Sequence, residues 1–253
     1  MKLDGKVVVV TGSGNGIGAA FARRFTAEGA KVVVTDVDAE RVDAVAAEIG
    51  SVGLACDITI EENVVAVAEL ARSTYGEIDV WYSNAGHSGP RQPGELNDNA
   101  LWALHWDLHV MSHVYAAREV LPSMVARGDG YLLQTSSVTA ITTQIEKASY
   151  TVTKAAALSL AEWLAVTYRP KGIKVSCFCP GPMLTQMLLS NDFPDDHPVL
   201  SIALSPEQVA ELLVRGIDAE DFLILDSSMA LEALDAKAES YDGWITTTQA
   251  PKL

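Results

Sequence analysis

Tyr150 and Lys154 stand four residues apart in a stretch, Tyr150–Tyr168, whose apolar spacing predicts a helix, so both side chains leave one face. A phenol beside an ammonium is a candidate acid–base pair. Free tyrosine titrates near 10, too high for a base at neutral pH, but a neighbouring cation favours the phenolate. A fall of about 3 units corresponds to roughly 4 kcal/mol of preferential interaction with the anion. Such a phenolate can take the proton of an alcohol while a hydride leaves the same carbon; in reverse the phenol protonates a developing alkoxide. Taken alone, Tyr150 also reads as a packing aromatic.

A hydride needs an acceptor, and the N-terminal part carries a pattern for one. Thr11-Gly12-Ser13-Gly14-Asn15-Gly16-Ile17-Gly18 follows a short apolar run, Lys6–Val10, and opens a helical pattern, Ile17–Glu28, that stops at Gly29. Between strand and helix, glycines permit a tight turn, let backbone N–H groups approach a pyrophosphate and let the helix pack on the sheet. The helix start adds partial positive charge. Asp36 ends the next β-branched run, Lys31–Thr35. A carboxylate there can accept both ribose hydroxyls of an adenosine and repels a 2′-phosphate. The glycine loop holds no Lys or Arg to offset that repulsion, so NAD is expected over NADP. Asp57, with Ile58 beside it, follows the run Val52–Cys56 and can hydrogen-bond an adenine amino group; alone it also reads as a turn former.

The elements that must position these residues alternate. Helical patterns at Ala39–Ile49 and Glu61–Tyr75 separate strand-like runs, and Ile78–Tyr82 is the next strand. Asn99–Arg127 reads as one long helix that Pro122 bends or ends. Tyr131–Gln134 and Lys174–Cys179 are strands around the Tyr150 helix, followed by a helix at Pro206–Ile217 and a last strand at Phe222–Leu225. Short apolar strands between amphipathic helices predict an α/β fold: a single doubly wound (Rossmann) domain over residues 1–253, with about seven parallel strands and helices on both faces. The polar stretches His87–Asn97 and Asn191–Pro198 read as loops over a site.

Composition narrows the partners. The 253 residues are 49% hydrophobic and 20% charged, which excludes disorder and low-complexity classes. A net charge of −15 argues against nucleic acid and anionic membrane as main partners. Neither a signal-peptide stretch nor an apolar run of membrane-spanning length is present, and the three cysteines form no CxxC pair, so a reducing cytoplasm is expected.

Taken together, the motifs resemble the short-chain dehydrogenase/reductase family of the roughly 250-residue type, over about residues 5–190. The Thr11-Gly12-xxx-Gly16-x-Gly18 spacing is similar to that branch and not to the extended branch, which places glycine at Asn15. The resemblance implies that Asn84-Ala85-Gly86 stabilises the sheet and borders the adenosine ribose. It implies that Ser137, thirteen before Tyr150, holds the substrate oxygen in preference to Ser136, and that Lys154 also holds the nicotinamide ribose. Pro180, Gly181, Met183 and Thr185 match the segment that holds the nicotinamide carboxamide. A homodimer or homotetramer is implied, through Asn99–Arg127 and the helix after Tyr150.

Two features depart from the family pattern. His109 stands where relatives carry an asparagine that helps a water link the active-site lysine to solvent. The resemblance implies that the helix is locally distorted there and that the main-chain carbonyl does much of this work. His109 is therefore expected to keep the relay, with its imidazole able to join it. His105, His109 and His113 share a helical face, but without an HExxH motif or clustered acids no metal is expected. The segment after Leu225 lacks the glycine-rich ending of many relatives.

Substrate-pocket residues are expected from Val138–Ser149, His87–Glu95 and the apolar segment 183–204, a substrate loop with Met183, Leu184 and Met187. The expected activity is NAD-dependent interconversion of a secondary alcohol and a ketone, on a hydrophobic small molecule. The alternatives are a sugar, polyol or cyclic-diol dehydrogenase, or a catalytically silent dinucleotide-binding regulator.

Overall fold

Four consecutive valines, Val7–Val10, open β1 (Val7–Thr11), and every residue of the strand is buried. A strand apolar on both faces must be covered on both, as in a parallel sheet. The computed structural model, which describes residues 1–91, 97–191, 193–194 and 196–248, shows this arrangement. β1 pairs in parallel with β2 (Lys31–Asp36) and β4 (Val80–Ser83). The full order is β3-β2-β1-β4-β5-β6-β7, with β3 at Val52–Ala55, β5 at Gly130–Thr135, β6 at Ile173–Cys179 and β7 at Leu223–Leu225. All six pairings are parallel.

Alternation along the strands divides the core. Val8 and Val10 face Phe21 and Phe25 of α1 (Gly16–Ala27) and Leu213 and Ile217 of α10 (Pro206–Ala219). Val7 and Val9 face the other layer: Val64 and Val67 of α3 (Glu61–Tyr75), Val120 of α5 (Ser112–Arg127) and Leu164 of α7 (Ala148–Tyr168). α2 (Ala39–Ile49) packs beside β2 and β3. Strand order reverses between β1 and β4, so a crevice opens where their C-terminal ends diverge, the usual ligand position in such sheets.

The long helix departs from its sequence reading. It runs on through Pro122 to Arg127, held by the buried neighbours Leu121 and Met124. The local distortion expected at His109 is present: α4 (Asn99–Trp106) passes into a π-helical turn at Asp107–Met111 before α5 begins. A wide turn of this kind inserts an extra residue and is common at functional sites. The segment after β7, for which no element was read, forms α11 (Met229–Glu239) and α12 (Tyr241–Thr248). Short helices α6 (Thr139–Thr142), α8 (Gln186–Leu189) and α9 (Pro198–Ile202) lie in the expected pocket walls. Residues 92–95, 192 and 195 of those walls lie outside the described residues, as do residues 249–253 of the expected domain.

Gly18 is where α1 meets the sheet. A Cβ there would stand 2.0 Å from the Gly12 carbonyl oxygen and 2.7 Å from Asn84 Nδ2. Gly18→Ala should therefore destabilise the fold by about 1–3 kcal/mol, as overpacking does, seen as a Tm several degrees lower in thermal unfolding; an unchanged Tm would show that the loop yields freely.

Candidate active site

Three strand ends are tied together beneath the site. The Thr11 hydroxyl accepts from the Asn84 and Ala85 amides at 2.9 and 3.1 Å. Asn84 Nδ2 donates to the Thr11 carbonyl at 3.0 Å, and the Thr135 hydroxyl reaches Asn84 Oδ1 at 3.1 Å. The side chain of Asn84 is thus spent on joining β1, β4 and β5.

Lys154 is buried, and its ammonium donates to the Thr135 carbonyl at 2.9 Å. It lies 5.8 Å from the ring centre of the partly exposed Tyr150. Burial pulls its pKa down to about 8. Burial pushes the Tyr150 phenol up, and the nearby Ser137 hydroxyl works the other way. Ser136 is turned elsewhere: its hydroxyl donates to the Lys154 carbonyl at 2.7 Å and pins α7 to the end of β5. A side chain at Gly86 would meet Lys154 Nζ at 3.3 Å and His109 Nε2 at 3.6 Å, so the missing Cβ leaves both their space.

His109 is fully buried in the π turn. Thr153 Oγ1 gives its proton to the Ser149 carbonyl at 2.8 Å, so it accepts from His109 Nδ1–H, also at 2.8 Å. His109 Nε2 then accepts from the His87 amide at 3.1 Å. Both ring nitrogens are paired in one neutral tautomer. Burial, then the nearby Lys154 charge, hold its pKa well below 6.5. His105 is the next link. His87 Nδ1 accepts from the Gly89 amide at 3.2 Å, so His105 Nε2, 3.3 Å away, carries the shared proton. His105 Nδ1 meets the Ser149 hydroxyl at 2.9 Å. The rings of His105 and His109 stack at 5.0 Å, and Tyr150 stands edge-on to His109 at 5.5 Å. His113 lies deeper, beside Gln134. Among the described residues no group of three His, Cys, Asp or Glu side chains is placed to hold a metal ion.

On the other side of the crevice, Asn15 caps α1 by accepting from the Gly16 amide at 2.7 Å. Gly12 and Gly16 have φ of +64° and +54°, conformations that favour glycine, and a Cβ on Gly12 would strike Ala85 Cα at 2.7 Å. A Cβ on Gly16 would enter the gap facing Thr185, whose Cγ2 is 3.6 Å away; Ile17 is half-buried behind the loop. Asp36 accepts from the Gly14 amide at 3.2 Å and the Asp38 amide at 3.3 Å. Asp57 is exposed and accepts from the Thr59 amide and hydroxyl, while Ile58 is buried.

Several participants escaped the sequence reading. Arg41, from the first turn of α2, borders the same pocket as Asp36: a Cβ on Gly14 would lie 3.0 Å from the Cβ of each. Its Nε pairs with Asp38 at 3.0 Å. Asp226, just past β7, accepts from the Gly181 amide at 2.8 Å and so fixes the segment after Pro180. Segment 183–204 is closed at its neck: the Leu184 amide donates to the Leu204 carbonyl at 2.9 Å, and the Leu204 amide to Pro182 at 3.1 Å. No local pattern marks these partners, although Thr153 could have been suspected from its place beside Lys154 and four residues after Ser149.

A family model described as short chain dehydrogenase matches residues 6–193. The chain is 36% identical over 195 residues to the 7alpha-hydroxysteroid dehydrogenase of Escherichia coli K12, covering 75% of this chain and 76% of that protein. It is 33% identical over 233 residues to the cis-4-hydroxycyclohexanecarboxylate dehydrogenase of Sinomonas cyclohexanicum, covering 87% and 92%. A solved 7 alpha-hydroxysteroid dehydrogenase complexed with NADH and 7-oxo glycochenodeoxycholic acid superposes with a TM-score of 0.82 at 31% identity, covering 89% of this chain and 94% of that one.

The buried histidines make an acid-sensitive site. Unfolded histidine binds a proton below about 6.5, whereas burial holds His105 neutral down to about 4 and His113 to about 3. In that window the unfolded chain holds more protons, so stability is lost as pH falls from 6.5 toward 4. The Tm should fall across this range with proton uptake on unfolding, and His109→Asn should flatten the slope; equal slopes would show that His109 is protonated in the folded chain.

Proposed function

The chain belongs to the short-chain dehydrogenase family, and on that premise we propose that it is an NAD-dependent oxidoreductase interconverting a hydrophobic secondary alcohol and its ketone, with Tyr150 as the acid–base group. The observation that carries this reading is the placement of Tyr150 5.8 Å from the buried Lys154 ammonium, at the crevice that the glycine loop also borders.

The glycine loop fits a dinucleotide. The cradle at Gly16 is a space that a Cβ would fill, at a capped helix start. Gly12, Asn15, Gly16, Ile17 and Gly18 would hold the pyrophosphate, Asp36 the adenosine ribose, and Asp57 with Ile58 the adenine edge. Ala85 and Gly86 would border the ribose, with Asn84 holding the turn from below. Lys154 and Tyr150 would hold the nicotinamide ribose, and Pro180, Gly181, Met183 and Thr185 the carboxamide, with Asp226 steadying Gly181. When bound, NAD supplies the hydride acceptor or donor.

The protein's own residues do the rest. Ser137 orients the substrate oxygen. Tyr150 takes or returns its proton, and the Lys154 ammonium, still charged at neutral pH, stabilises the phenolate. His109 serves as a positioning residue: with both ring nitrogens paired, it holds the His87 amide against α7, and any relay of protons from Lys154 runs past its imidazole. Met183, Leu184 and Met187 of segment 183–204 would border the substrate. Exposed apolar side chains in the walls, among them Ile145, Leu184 and Met187, favour a hydrophobic substrate over a sugar or polyol. The relatives named for a hydroxysteroid and a hydroxycyclohexanecarboxylate support a cyclic alcohol.

The apolar groove between α5 and α7, about 450 Å³ and lined by Leu121, Leu160 and Trp163 among others, suits pairing of those helices in a homo-oligomer. Three free thiols fit a reducing cytoplasm. No helix among the described residues is long and apolar enough to cross a membrane.

Tyr150→Phe should retain NADH binding by fluorescence titration yet lose turnover by at least about 100-fold, the low end for general acid–base groups; a folded, active variant would send the proton elsewhere. Cofactor choice is a second test. Asp36 and Asp38 outweigh Arg41, so kcat/KM should be higher with NAD than with NADP. Asp36→Ala should narrow the gap by freeing Arg41 for a 2′-phosphate, and adding Arg41→Ala should reverse that gain. Equal use of both cofactors by the unmodified protein would refute the preference.

A further inference from the structure

Three segments expected to wall the substrate site converge on one guanidinium. Arg91 lies in the loop that follows His87. Its Nη2 donates to Glu146 at 3.1 Å, in the segment leading to Tyr150, and its Cζ lies 5.4 Å from the ring centre of Phe193, in segment 183–204. A polar cavity of about 440 Å³ sits beside it, lined by Ser88, Gly89, Pro90, Arg91, Ser190 and Asn191.

Behind Arg91 stands Lys147, three residues before Tyr150 and only 5% exposed. Its ammonium has three donors, yet its one hydrogen bond among the described residues goes to the Gly89 carbonyl at 3.2 Å. Burial lowers its pKa, and the charge of Arg91 lowers it further, so the two cations are within electrostatic reach of each other. Glu146 answers one of them, through a single guanidinium nitrogen and in an exposed pair that contributes little. Among the described residues no other carboxylate pairs with Arg91 or Lys147, in a chain whose net charge of −15 repels anions overall. An exposed guanidinium at the edge of a polar cavity, with a buried ammonium near it, suits an anion, and the planar guanidinium fork, steadied on Phe193, matches a carboxylate.

We propose that the substrate is a hydroxy acid with a hydrophobic body, and that Arg91, with Lys147 behind it, binds its carboxylate at the end remote from the carbinol carbon. This rests on the reading of Ser137, Tyr150 and Lys154 as the site of alcohol oxidation. Arg91 touches Glu146 and Phe193 rather than that triad, which puts the acid away from the reacting carbon. Ile145, Leu184, Met187 and Leu189 are exposed in the same walls and suit the apolar body.

The test compares matched pairs: 4-hydroxycyclohexanecarboxylate with its methyl ester, and a hydroxylated cholanic acid with its methyl ester. The acid of at least one pair should be favoured by about 10-fold or more in kcat/KM, the scale of one charge-assisted contact, and the difference should lie in KM. It should shrink as salt is added. Arg91→Ala should remove the preference by lowering kcat/KM for the acid far more than for the ester, Arg91→Lys should keep part of it, and Lys147→Met should weaken it. Acid and ester within about two-fold of each other in the unmodified protein would overturn the proposal, as would an Arg91→Ala variant that slows both alike. If neither core is turned over, the alcohol-oxidation reading fails separately. Binding to the NADH-loaded protein then decides: an acid preference that depends on Arg91 upholds the anion site, and equal binding of acid and ester overturns it.

Discussion

One ammonium is buried where three parallel strands end, and much of the surrounding structure follows from keeping it there. An unpaired charge inside a protein is costly, so Lys154 needs an acceptor, a fixed backbone and room. The Thr135 carbonyl is the acceptor, free because β5 ends at that residue. Ser136 fixes the backbone of α7 through the Lys154 carbonyl, and Gly86 provides room by having no side chain. The Thr11, Asn84 and Thr135 ties keep the strand ends in register beneath it. Remaining strain appears as a pKa drawn down to about 8, a value that still leaves the group charged at neutral pH.

The same charge explains why histidines can crowd this region. A second cation close to Lys154 would be unfavourable, and both burial and Lys154 hold His105, His109 and His113 in the neutral form. A neutral imidazole offers one donor and one acceptor, and His109 uses them on Thr153 and on the His87 amide. It thereby joins two segments that flank Tyr150. The π turn at Asp107–Met111 brings His109 into this position, and His105, four residues earlier, stacks on it and carries the network out to His87.

Charge is divided within the molecule. The chain as a whole is strongly acidic, and Asp36 and Asp38 stand beside the glycine loop. Near segment 183–204 two cations, Arg91 and Lys147, lie within electrostatic reach of each other, and among the described residues only Glu146 pairs with them. Separation of this kind would let one protein, on the proposed reading, reject a phosphate at one end of its crevice and hold an acid at the other, because short-range contacts outweigh the distant net charge.

What could be read directly from the sequence was local. Valine runs separated by 3.6-periodic stretches specify buried parallel strands and covering helices. Glycines between a strand and a helix specify a turn that the backbone must enter closely, and Tyr150 and Lys154 lie one helical turn apart. These signals live within a few residues of one another, so no partner is needed to see them. Pro122 shows the limit of such rules: it was expected to bend or end its helix, but buried packing on either side carries the helix through. The tertiary structure alone decided the rest. Arg41 reaches the Gly14 loop, Asp226 reaches Gly181, and Arg91 meets Glu146 and Phe193 across tens of residues. Nor did spacing show that His109 would be neutral. That depends on how deeply it is buried, which way the Thr153 proton points and how near Lys154 lies, and folding sets all three.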